Sequence, residues 1–349
     1  MKEDRPYLIV GAGLAGVCLA FHFRKLGKKV IVVDNGHNSS SAVAAGIINP
    51  IVFRRMTKSW RVDEFIPYGR DFYKALEKEC QTTFYYDIVI RRLFSSEQER
   101  GFWEQKQNSE AFSDYLTPVS SQDDSFQGAK NAFGSGRVKS AAYVRSDQFL
   151  IHTKAQLKLS ADLTEEQFDY TQFEPTSLSY KHFQYAAAIF CEGPHVKENP
   201  FFGYLPVQQT KGEILTIYCP TMQTEELLNR KCFVLPIGQG TYRVGATYVW
   251  NTMNNITTSE ARTELTEKFK VLRDDEFEII DQQAGVRPTT PDRRPILGQH
   301  ADYKGLYVFN GLGTKGYMSA PLLAKELCAH ILEGEVLSEE VRLDRFKKC

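Results

Sequence analysis

The hydrophobic positions near the start of the chain form two short runs separated by a longer, mostly apolar stretch. Residues 7–10 and 30–33 are short apolar runs of the kind that form buried parallel strands. The stretch between them, residues 14–26, is long enough for a helix and is followed by Gly27, a residue type that commonly ends helices. The pattern therefore predicts a strand, a helix and a second strand packed as a βαβ unit.

Further along the chain, the hydrophobic spacing alternates between helical and strand periods. The helical period recurs at residues 64–80, 97–116, 257–270 and 318–333, and in a stretch that begins near residue 146. The strand pattern recurs at residues 84–94, 185–190, 213–218, 232–235, 242–248 and 306–309. The strands between residues 211 and 249 are expected to form an antiparallel sheet. We interpret residues 285–298, which are rich in proline, as a long loop.

Glycine turns near both ends of the chain flank this β-rich material. We therefore expect an α/β (α+β) protein, with a Rossmann-like cofactor-binding domain interleaved with an antiparallel-sheet substrate domain. The expected cofactor domain combines residues 1–50, 137–205 and 284–349. The expected substrate domain combines residues 51–136 and 206–283.

The turn after the first predicted strand carries a glycine pattern with chemical meaning. Gly11 permits a tight turn, Gly13 allows close approach of a pyrophosphate, and Gly16 lets the helix lie close to the strand. The N-terminus of that helix favours an anion through its free N–H groups and its dipole. Asp34 ends the second strand, where a carboxylate can accept both hydroxyls of an adenosine ribose and repels a ribose phosphate. The unit therefore predicts FAD or NAD rather than NADP.

Composition narrows the class of protein without choosing a function. The 43 basic and 43 acidic residues cancel, so no global charge indicates a nucleic-acid partner. The basic cluster of Arg54, Arg55, Lys58 and Arg61 is interpreted as a solvated face. The 7 cysteines contain no CxxC pair, which is typical of reduced thiols in a cytosolic protein and offers no metal site. Because no apolar run is long enough to cross a membrane and no signal-peptide core is seen, we expect a cytoplasmic protein.

Several motifs follow one another in order along nearly the whole chain. They are residues 11–16 with Asp34, Ala44-Ala45-Gly46 with Pro50, Lys211-Gly212-Glu213, Gly245-Ala246-Thr247, Gly285-Val286-Arg287-Pro288 and residues 311–316. This ordered set resembles the D-amino-acid-oxidase-like superfamily of FAD-dependent oxidoreductases, which includes glycine oxidase and sarcosine oxidase. Within that superfamily the sequence is most similar to the FAD oxidase half of the bifunctional tRNA wobble-uridine modification enzyme, and it lacks the methyltransferase half.

The resemblance implies a set of FAD-binding residues. They are Gly11, Gly13, Leu14, Ala15, Gly16, Asp34, Ala44, Ala45, Gly46, Gly193, Gly311, Gly313, Thr314, Lys315 and Gly316. In this reading the turn at residues 44–46 lies flat against the isoalloxazine ring. The loop at residues 311–316 brings backbone N–H groups to the pyrimidine edge of the ring. Because no cysteine or histidine falls in an evident flavin-attachment motif, the FAD is expected to be non-covalent.

The resemblance also implies two catalytic residues. Arg287 matches the arginine that binds the substrate carboxylate through its planar fork. Lys315 stands where relatives carry arginine or another polar residue, and it could contact flavin, substrate or dioxygen. One departure is Phe233, three residues before Pro236, where amino-acid oxidases of the superfamily often have a tyrosine. The missing hydroxyl puts a simple glycine or D-amino-acid substrate in question.

The resemblance thus implies an enzyme of the amine or amino-acid oxidase type. It would oxidise a C–N bond of a small carboxylate-bearing amine by hydride transfer to FAD. Dioxygen or another acceptor would then reoxidise the flavin. Three alternatives stay open: oxidative removal of a carboxymethyl group from a tRNA wobble uridine, with tRNA as a partner; oxidation of a 2-hydroxy acid; and a flavoprotein without catalytic activity.

Overall fold

A computed structural model of the protein describes residues 5–37 and 39–346. Its α-helices are α1 (Leu14–Lys25), α2 (Ser39–Val43), α3 (Val62–Cys80), α4 (Glu97–Gln107), α5 (Ser121–Asp124), α6 (Ser146–Leu159), α7 (Ser259–Leu272) and α8 (Gly316–Glu333). Its strands are β1 (Tyr7–Val10), β2 (Val30–Asp34), β3 (Ile47–Ile48), β4 (Ile51–Val52), β5 (Thr57–Lys58), β6 (Tyr85–Leu93), β7 (Ser135–Val144), β8 (Leu163–Glu165), β9 (Phe173–Glu174), β10 (Ser179–Tyr180), β11 (Phe183–Gln184), β12 (Ala188–Phe190), β13 (Gln208–Tyr218), β14 (Leu227–Arg230), β15 (Cys232–Gly238), β16 (Thr241–Gly245), β17 (Val249–Trp250), β18 (Glu278–Thr289), β19 (Ile296–Gln299) and β20 (Leu306–Asn310).

The first large sheet has six strands in the order β19-β20-β12-β1-β2-β8. Its pairs are parallel except for β19, which runs antiparallel to β20. The short apolar runs predicted as strands form β1, β2 and β12, and their side chains are almost entirely buried. The carboxyl ends of β1, β12 and β20 meet at one edge, beside the point where the strand order reverses. Doubly wound sheets bind ligands in the crevice at this position.

The second large sheet has nine strands. Strand β13 pairs with β16, β17 and β18 in this sheet. The interpretation of residues 285–298 as a loop is wrong for residues 285–289, which lie in β18, and for residues 296–298, which lie in β19. Proline at position 288 is tolerated because β13 is the one strand of the described ranges that pairs with β18, so no ladder hydrogen bond is required from the other side of β18. The predicted antiparallel arrangement of residues 211–249 is confirmed in the pairing of β13, β15 and β16.

Sheet membership differs from the expected division into domains at three strands. Residues 137–144 lie in β7, which pairs with β6 in the nine-stranded sheet, although they were assigned to the cofactor domain. The strand at residues 47–48 pairs with β7, and residues 285–289 pair with β13. All three segments pair within the nine-stranded sheet, and apolar spacing alone does not reveal the pairing partner of a strand. The α/β (α+β) fold class is confirmed, and the two-domain division remains our proposal.

A continuous apolar core joins the two sheets through α1, α3 and α8. The six cysteines within residues 5–346, at positions 18, 80, 191, 219, 232 and 328, are free and buried. Among the helices of the described ranges, none is both long and apolar enough to cross a membrane.

His22 links the two helices that flank the crevice. Its Nε2 lies 3.0 Å from the carbonyl oxygen of Pro321 in α8, so this nitrogen carries the proton and donates. The imidazole is packed against the rings of Phe21, Tyr68 and Phe72. Burial lowers the pKa of His22 to about 4, and the charges of nearby lysines act in the same direction. Burial therefore keeps the imidazole neutral at neutral pH, although its hydrogen bond to Pro321 acts in the opposite direction.

We expect the contact at His22 to make the protein less stable in mild acid. The folded pKa lies below the unfolded one, so the unfolded chain binds the proton more tightly and stability falls as the pH drops from about 6.5 towards 4. The free energy of unfolding should fall by about 2 kcal/mol between pH 7.5 and 5 through this group. Urea unfolding of the wild type and of His22→Gln, which keeps a donor but does not titrate, measures the difference. An identical pH dependence in both proteins would contradict the assignment.

Candidate active site

A cavity of about 400 Å³ opens where the carboxyl ends of the parallel strands face the nine-stranded sheet. On one side it is lined by residues 13–15 at the N-terminus of α1 and by residues 312–317 at the N-terminus of α8. On the other side it is lined by strands of the nine-stranded sheet, including Gly212 and Ile214 of β13. Two helix N-termini therefore point into one crevice, which favours negative charge there.

The first glycine turn forms the floor of this crevice. Gly13, Leu14 and Ala15 line the cavity, whereas Gly11 and Gly16 pack against backbone beneath it. A Cβ at Gly11 would lie 2.6 Å from the carbonyl oxygen of Cys191, and one at Gly16 would lie 1.9 Å from that of Gly11. These two positions therefore require glycine because α1, β1 and the end of β12 approach so closely.

Asp34 lies at the end of β2 and is held by protein donors. Its Oδ1 accepts the N–H of Ala12 at 2.9 Å, and its Oδ2 accepts the N–H of Gly36 at 3.1 Å and Lys154 Nζ at 2.7 Å. Burial acts to raise the pKa of Asp34, but Lys154 and these N–H groups hold it below its ordinary value. The carboxylate is thus kept charged at neutral pH. Sequence reasoning missed Lys154, which reaches Asp34 from α6.

The turn at residues 44–46 lines the cavity and is fixed from behind. The Ser146 hydroxyl shares its one donor between the carbonyl oxygens of Ala42 and Ala44, at 2.8 and 2.5 Å, and Arg243 Nη1 donates to that of Ala44 at 3.1 Å. A Cβ at Gly46 would lie 1.9 Å from the carbonyl oxygen of Val144. The turn thus lines the cavity with small residues, while α6, β7 and β16 hold its backbone.

The turns after β12 and β20 differ in how closely protein atoms surround their glycines. A Cβ at Gly193 or Gly313 would meet nothing nearer than 3.7 Å, and both residues line the cavity. Gly311 is packed instead, since its Cβ would lie 2.7 Å from Thr290 Cγ2. Asn310 joins the two turns, because its Nδ2 donates to the Gly193 carbonyl oxygen at 2.9 Å. Gly193 and Gly313 therefore leave a space in the cavity wall that a side chain would fill and that suits a flat ligand.

The structure brings Thr314, Lys315 and Gly316 to the cavity wall as well. Lys315 Nζ donates to the carbonyl oxygen of Asn49 at 3.0 Å and to Ser59 Oγ. Burial lowers the pKa of Lys315 to about 8. No ion pair joins it to a carboxylate within the described ranges, so this ammonium lies in the wall with neutral partners only.

Arg287 lies in β18 and lines the same cavity. Its guanidinium carbon lies 4.6 Å from the ring centroid of Tyr248, and Nη1 lies 3.5 Å from the carbonyl oxygen of Thr247. Among the described residues no carboxylate forms an ion pair with it. Asp292, five residues further along the chain, pairs with Arg345 at 2.8 Å instead. Burial lowers the pKa of Arg287, which marks a cation with reduced access to water.

Room for this guanidinium is made by Gly212 in the neighbouring strand. A Cβ at Gly212 would lie 2.1 and 2.2 Å from the two terminal nitrogens of Arg287. The flanking residues Lys211 and Glu213 form a buried ion pair at 3.3 Å that also binds the segment around residues 254–258. The Lys-Gly-Glu motif of the sequence therefore provides the space that the Arg287 side chain occupies.

We expect Gly212→Ala to lower turnover without loss of FAD. The methyl group would push the guanidinium out of position, and a displacement of about 1 Å in an active site can reduce the rate about 100-fold. Steady-state kcat/KM and the FAD absorbance per protein chain measure the two effects. Gly101→Ala, in α4 where a Cβ would contact nothing within 4 Å, is the matched control. Full activity of Gly212→Ala would contradict the claim that Gly212 makes room for the guanidinium of Arg287.

Glu192, at the end of β12, is a cavity-lining residue that sequence reasoning missed. Its carboxylate accepts hydrogen bonds from the hydroxyl of Tyr170 and, at 2.7 Å, from Nδ2 of Asn199. Burial raises the pKa of Glu192 to about 7. It is the only carboxylate among the described residues that line the cavity, so the wall as a whole is cationic or neutral.

The basic cluster at residues 54–61 is partly neutralised. Lys58 pairs with Asp63 at 2.5 Å, and Arg61 pairs with Glu64 and Glu326 at 2.7 and 2.5 Å. This pairing agrees with the interpretation of a solvated face rather than a phosphate-binding one.

A Rossmann-like sheet, glycine turns at the ends of its central strands and a cavity that reaches an antiparallel sheet are together typical of a dinucleotide-dependent oxidoreductase. A family model described as FAD dependent oxidoreductase (DAO) matches residues 7–330, and the chain belongs to this family. The resemblance seen in the sequence is thereby confirmed, as are FAD as the cofactor and an oxidoreductase as the class of enzyme.

Individual relatives are distant. The chain is 25% identical to a glycine oxidase of Bacillus licheniformis over 97% of this chain and 96% of that protein. It is 24% identical to the tRNA 5-methylaminomethyl-2-thiouridine biosynthesis bifunctional protein MnmC of Idiomarina loihiensis over 99% of this chain, which spans 59% of that protein. The crystal structure of glycine oxidase from Geobacillus kaustophilus superimposes with a TM-score of 0.82 at 19% identity, covering 99% of both chains, and shows the shared fold.

Proposed function

We propose that this FAD-dependent oxidoreductase oxidises the C–N bond of an amine that carries a carboxylate, and that Arg287 binds the carboxylate. The observation that carries the proposal is the Arg287 guanidinium, which lines the cavity, stacks on Tyr248 and has no carboxylate partner within the described residues. Removing a cation from water is costly unless an anion and hydrogen-bond acceptors replace the water. A substrate carboxylate supplies both in the planar geometry that the guanidinium fits.

Residues that line the cavity, together with Asp34 beside it at the end of β2, support the proposal that FAD binds here. In our proposal the N–H groups of Gly13 and Ala15 meet the pyrophosphate, while the N–H of Leu14 donates to Ser41 Oγ at 3.1 Å, and Asp34 binds the adenosine ribose. The turns at residues 44–46, Gly193 and Gly313 leave a cradle for the flat ring. Bound FAD supplies the two-electron acceptor for the reaction.

The wall opposite the glycine turns bears on the protonation state of the amine. Ile90, Ile214, Leu227 and Phe233 line it with apolar groups. An ammonium ion loses hydration in such a wall, so its pKa falls and the neutral amine is favoured. The neutral form is the one that can be oxidised at the C–N bond, and no general base is needed from the protein.

Lys315 is our second candidate for a catalytic residue. It lies where α8 begins, and its ammonium adds positive charge to the N-terminal end of that helix. Fixed positive charge at such a place stabilises negative charge that develops during a reaction. The pKa of about 8 leaves the ammonium mostly protonated at neutral pH.

Anaerobic mixing of the FAD-loaded protein with candidate substrates tests the proposal. The panel contains glycine, sarcosine, D- and L-amino acids, 2-hydroxy acids and tRNA bearing a carboxymethylaminomethyl wobble uridine, together with matched amines that lack the carboxylate. We expect the flavin absorbance to bleach with carboxylate-bearing amines and not with their decarboxylated counterparts. Bleaching by 2-hydroxy acids alone, by both members of each pair equally, or by no compound would overturn the proposal.

A tRNA substrate has weaker support. The relative MnmC is named for tRNA modification, but the chain matches only 59% of its length, and Lys58 and Arg61 are engaged by carboxylates. Binding to phosphates makes affinity fall steeply with salt concentration. Turnover of the modified tRNA that decreases with salt would favour this alternative over a free amino acid.

A further inference from the structure

The substrate side of the cavity contains a polar side chain where none was expected. Phe233 lines the cavity at the position where related oxidases often have a tyrosine. In the pairing of β14 with β15, the residue directly opposite Phe233 is Asn229, which lines the same cavity. Directly opposed residues of antiparallel strands have their Cβ atoms about 4.5–5.5 Å apart on one face of the sheet. Asn229 is thus placed to supply the hydrogen-bonding group that Phe233 lacks.

The orientation of the Asn229 amide is fixed by the next strand. Arg92 Nη1 lies 2.7 Å from Oδ1 of Asn229, and because a guanidinium only donates, the atom that faces it is the oxygen. Arg92 itself is held by Glu99 at 2.7 Å and lies over the ring of Phe53. The amide nitrogen therefore points away from Arg92, and within the described part of the chain Nδ2 has no hydrogen-bond acceptor.

When a ligand fills this part of the cavity and excludes water, the surroundings of Asn229 make an unused donor costly. Ile90, Leu227 and Phe233 share this part of the wall, and an amide donor that is removed from water without an acceptor is unfavourable. The one lining carboxylate, Glu192, follows β12 on the opposite side and is already bonded to Tyr170 and Asn199. A ligand that displaces water from this part of the cavity must therefore offer Asn229 an acceptor of its own.

We propose that Asn229 is a specificity-determining residue that donates a hydrogen bond to an oxygen acceptor on the substrate, at a point beyond the carboxylate bound by Arg287. The inference rests on the proposed function and narrows it. The substrate is an amino acid whose N-substituent or side chain carries a carbonyl or carboxylate oxygen. Glycine and sarcosine, which have no such group, are predicted to be poor substrates.

Isosteric substrate pairs test the inference. Iminodiacetate and N-isobutylglycine differ in the N-substituent, and aspartate and leucine, as both enantiomers, differ in the side chain. In each pair one member has two oxygens where the other has two methyl groups. We expect the wild type to prefer the oxygen-bearing member of at least one pair in kcat/KM by about 10- to 100-fold, because a hydrogen-bonding site rejects an analogue that leaves it unpaired.

Two variants test whether Asn229 causes the preference for the oxygen-bearing substrate. Asn229→Leu should lower kcat/KM for the preferred member about 10- to 100-fold, chiefly through KM, and change the apolar member less than about twofold. Asn229→Asp keeps an acceptor for Arg92 and the same volume but removes the donor, so it should abolish the preference even if the leucine variant does not fold. Asn108→Leu, at an exposed position after α4, is the control and should behave as wild type.

The outcomes separate this inference from the proposed function. Equal use of both members by the wild type, or equal losses on both in the variants, would overturn the role of Asn229 and leave Arg287 unaffected. Reduction of the flavin by sarcosine or glycine but by neither pair would do the same. Failure of every amine to reduce the flavin would overturn the proposed function itself.

Discussion

Replacement of Arg287 by methionine is expected to lower kcat/KM for carboxylate-bearing amines by about 10²–10⁴-fold. The substrate carboxylate would then lie in a partly desolvated wall without its charged partner, and breaking a buried pair by removing one member costs about 3–5 kcal/mol. FAD content should be unchanged, because the guanidinium lies in β18 and contacts Tyr248 and the Thr247 carbonyl rather than the glycine turns. Anaerobic flavin reduction by substrate, followed in a stopped-flow instrument, measures the effect.

Two further variants make this result specific. Arg287→Lys keeps the charge but loses the planar fork, so its rate should fall between the wild type and the methionine variant. Arg293→Met removes an exposed arginine near the same strand and should leave the kinetics unchanged. The assignment fails if Arg287→Met reduces its flavin at the wild-type rate with every active carboxylate-bearing amine.

The sequence was sufficient to predict those parts of the site that lie within one local element. The first glycine turn, α1 and the end of β2 are consecutive in the chain. Their periodicity and turn residues therefore predict both the βαβ unit and the edge of the sheet at which a ligand is expected to bind. The same holds for the turn between β20 and α8. In each case one strand and one helix share a short loop, and local sequence fixes their geometry.

Contacts between distant segments could not be predicted in this way. Gly212 makes room for Arg287 only because β13 and β18 pair side by side, and the proline-rich composition of residues 285–298 concealed that β18 is a strand. Lys154 reaches Asp34 across 120 positions of sequence. Such contacts depend on strand register and helix placement, which the spacing of apolar residues does not determine.

The substrate wall of the cavity is a second place where sequence patterning did not reveal a contact, and here the contact bears on function. The sequence reveals that Phe233 lacks a hydroxyl, and taken alone this indicates a wall without a polar group. Its partner Asn229 lies in β14, a strand that sequence patterning did not predict, and β14 joins β6 in parallel pairing. The polar group that lies opposite Phe233 can therefore be identified only once the order of the strands is known.

Replacement of Gly16 by alanine is expected to abolish FAD binding. A Cβ at this position would lie 1.9 Å from the carbonyl oxygen of Gly11 and 3.3 Å from Ile9 Cγ2, so α1 must move away from β1. That movement withdraws the N–H groups of residues 13–15 from the crevice and separates α1 from the edge where Asp34 lies. Overpacking of this kind also destabilises a fold by about 1–3 kcal/mol. Flavin absorbance of the purified protein and titration of the apoprotein with FAD measure the loss.

Helix propensity alone predicts the opposite effect, which makes the comparison informative. Alanine in place of glycine within a helix stabilises it by about 0.5–1 kcal/mol when nothing obstructs the methyl group. Gly101→Ala in α4 meets that condition, since a Cβ there would contact nothing within 4 Å, and it should raise the melting temperature while FAD stays bound. If Gly16→Ala bound FAD as tightly as Gly101→Ala, close approach of α1 to β1 would not be what holds the cofactor, and the assignment of Gly13 and Ala15 to the pyrophosphate would be wrong.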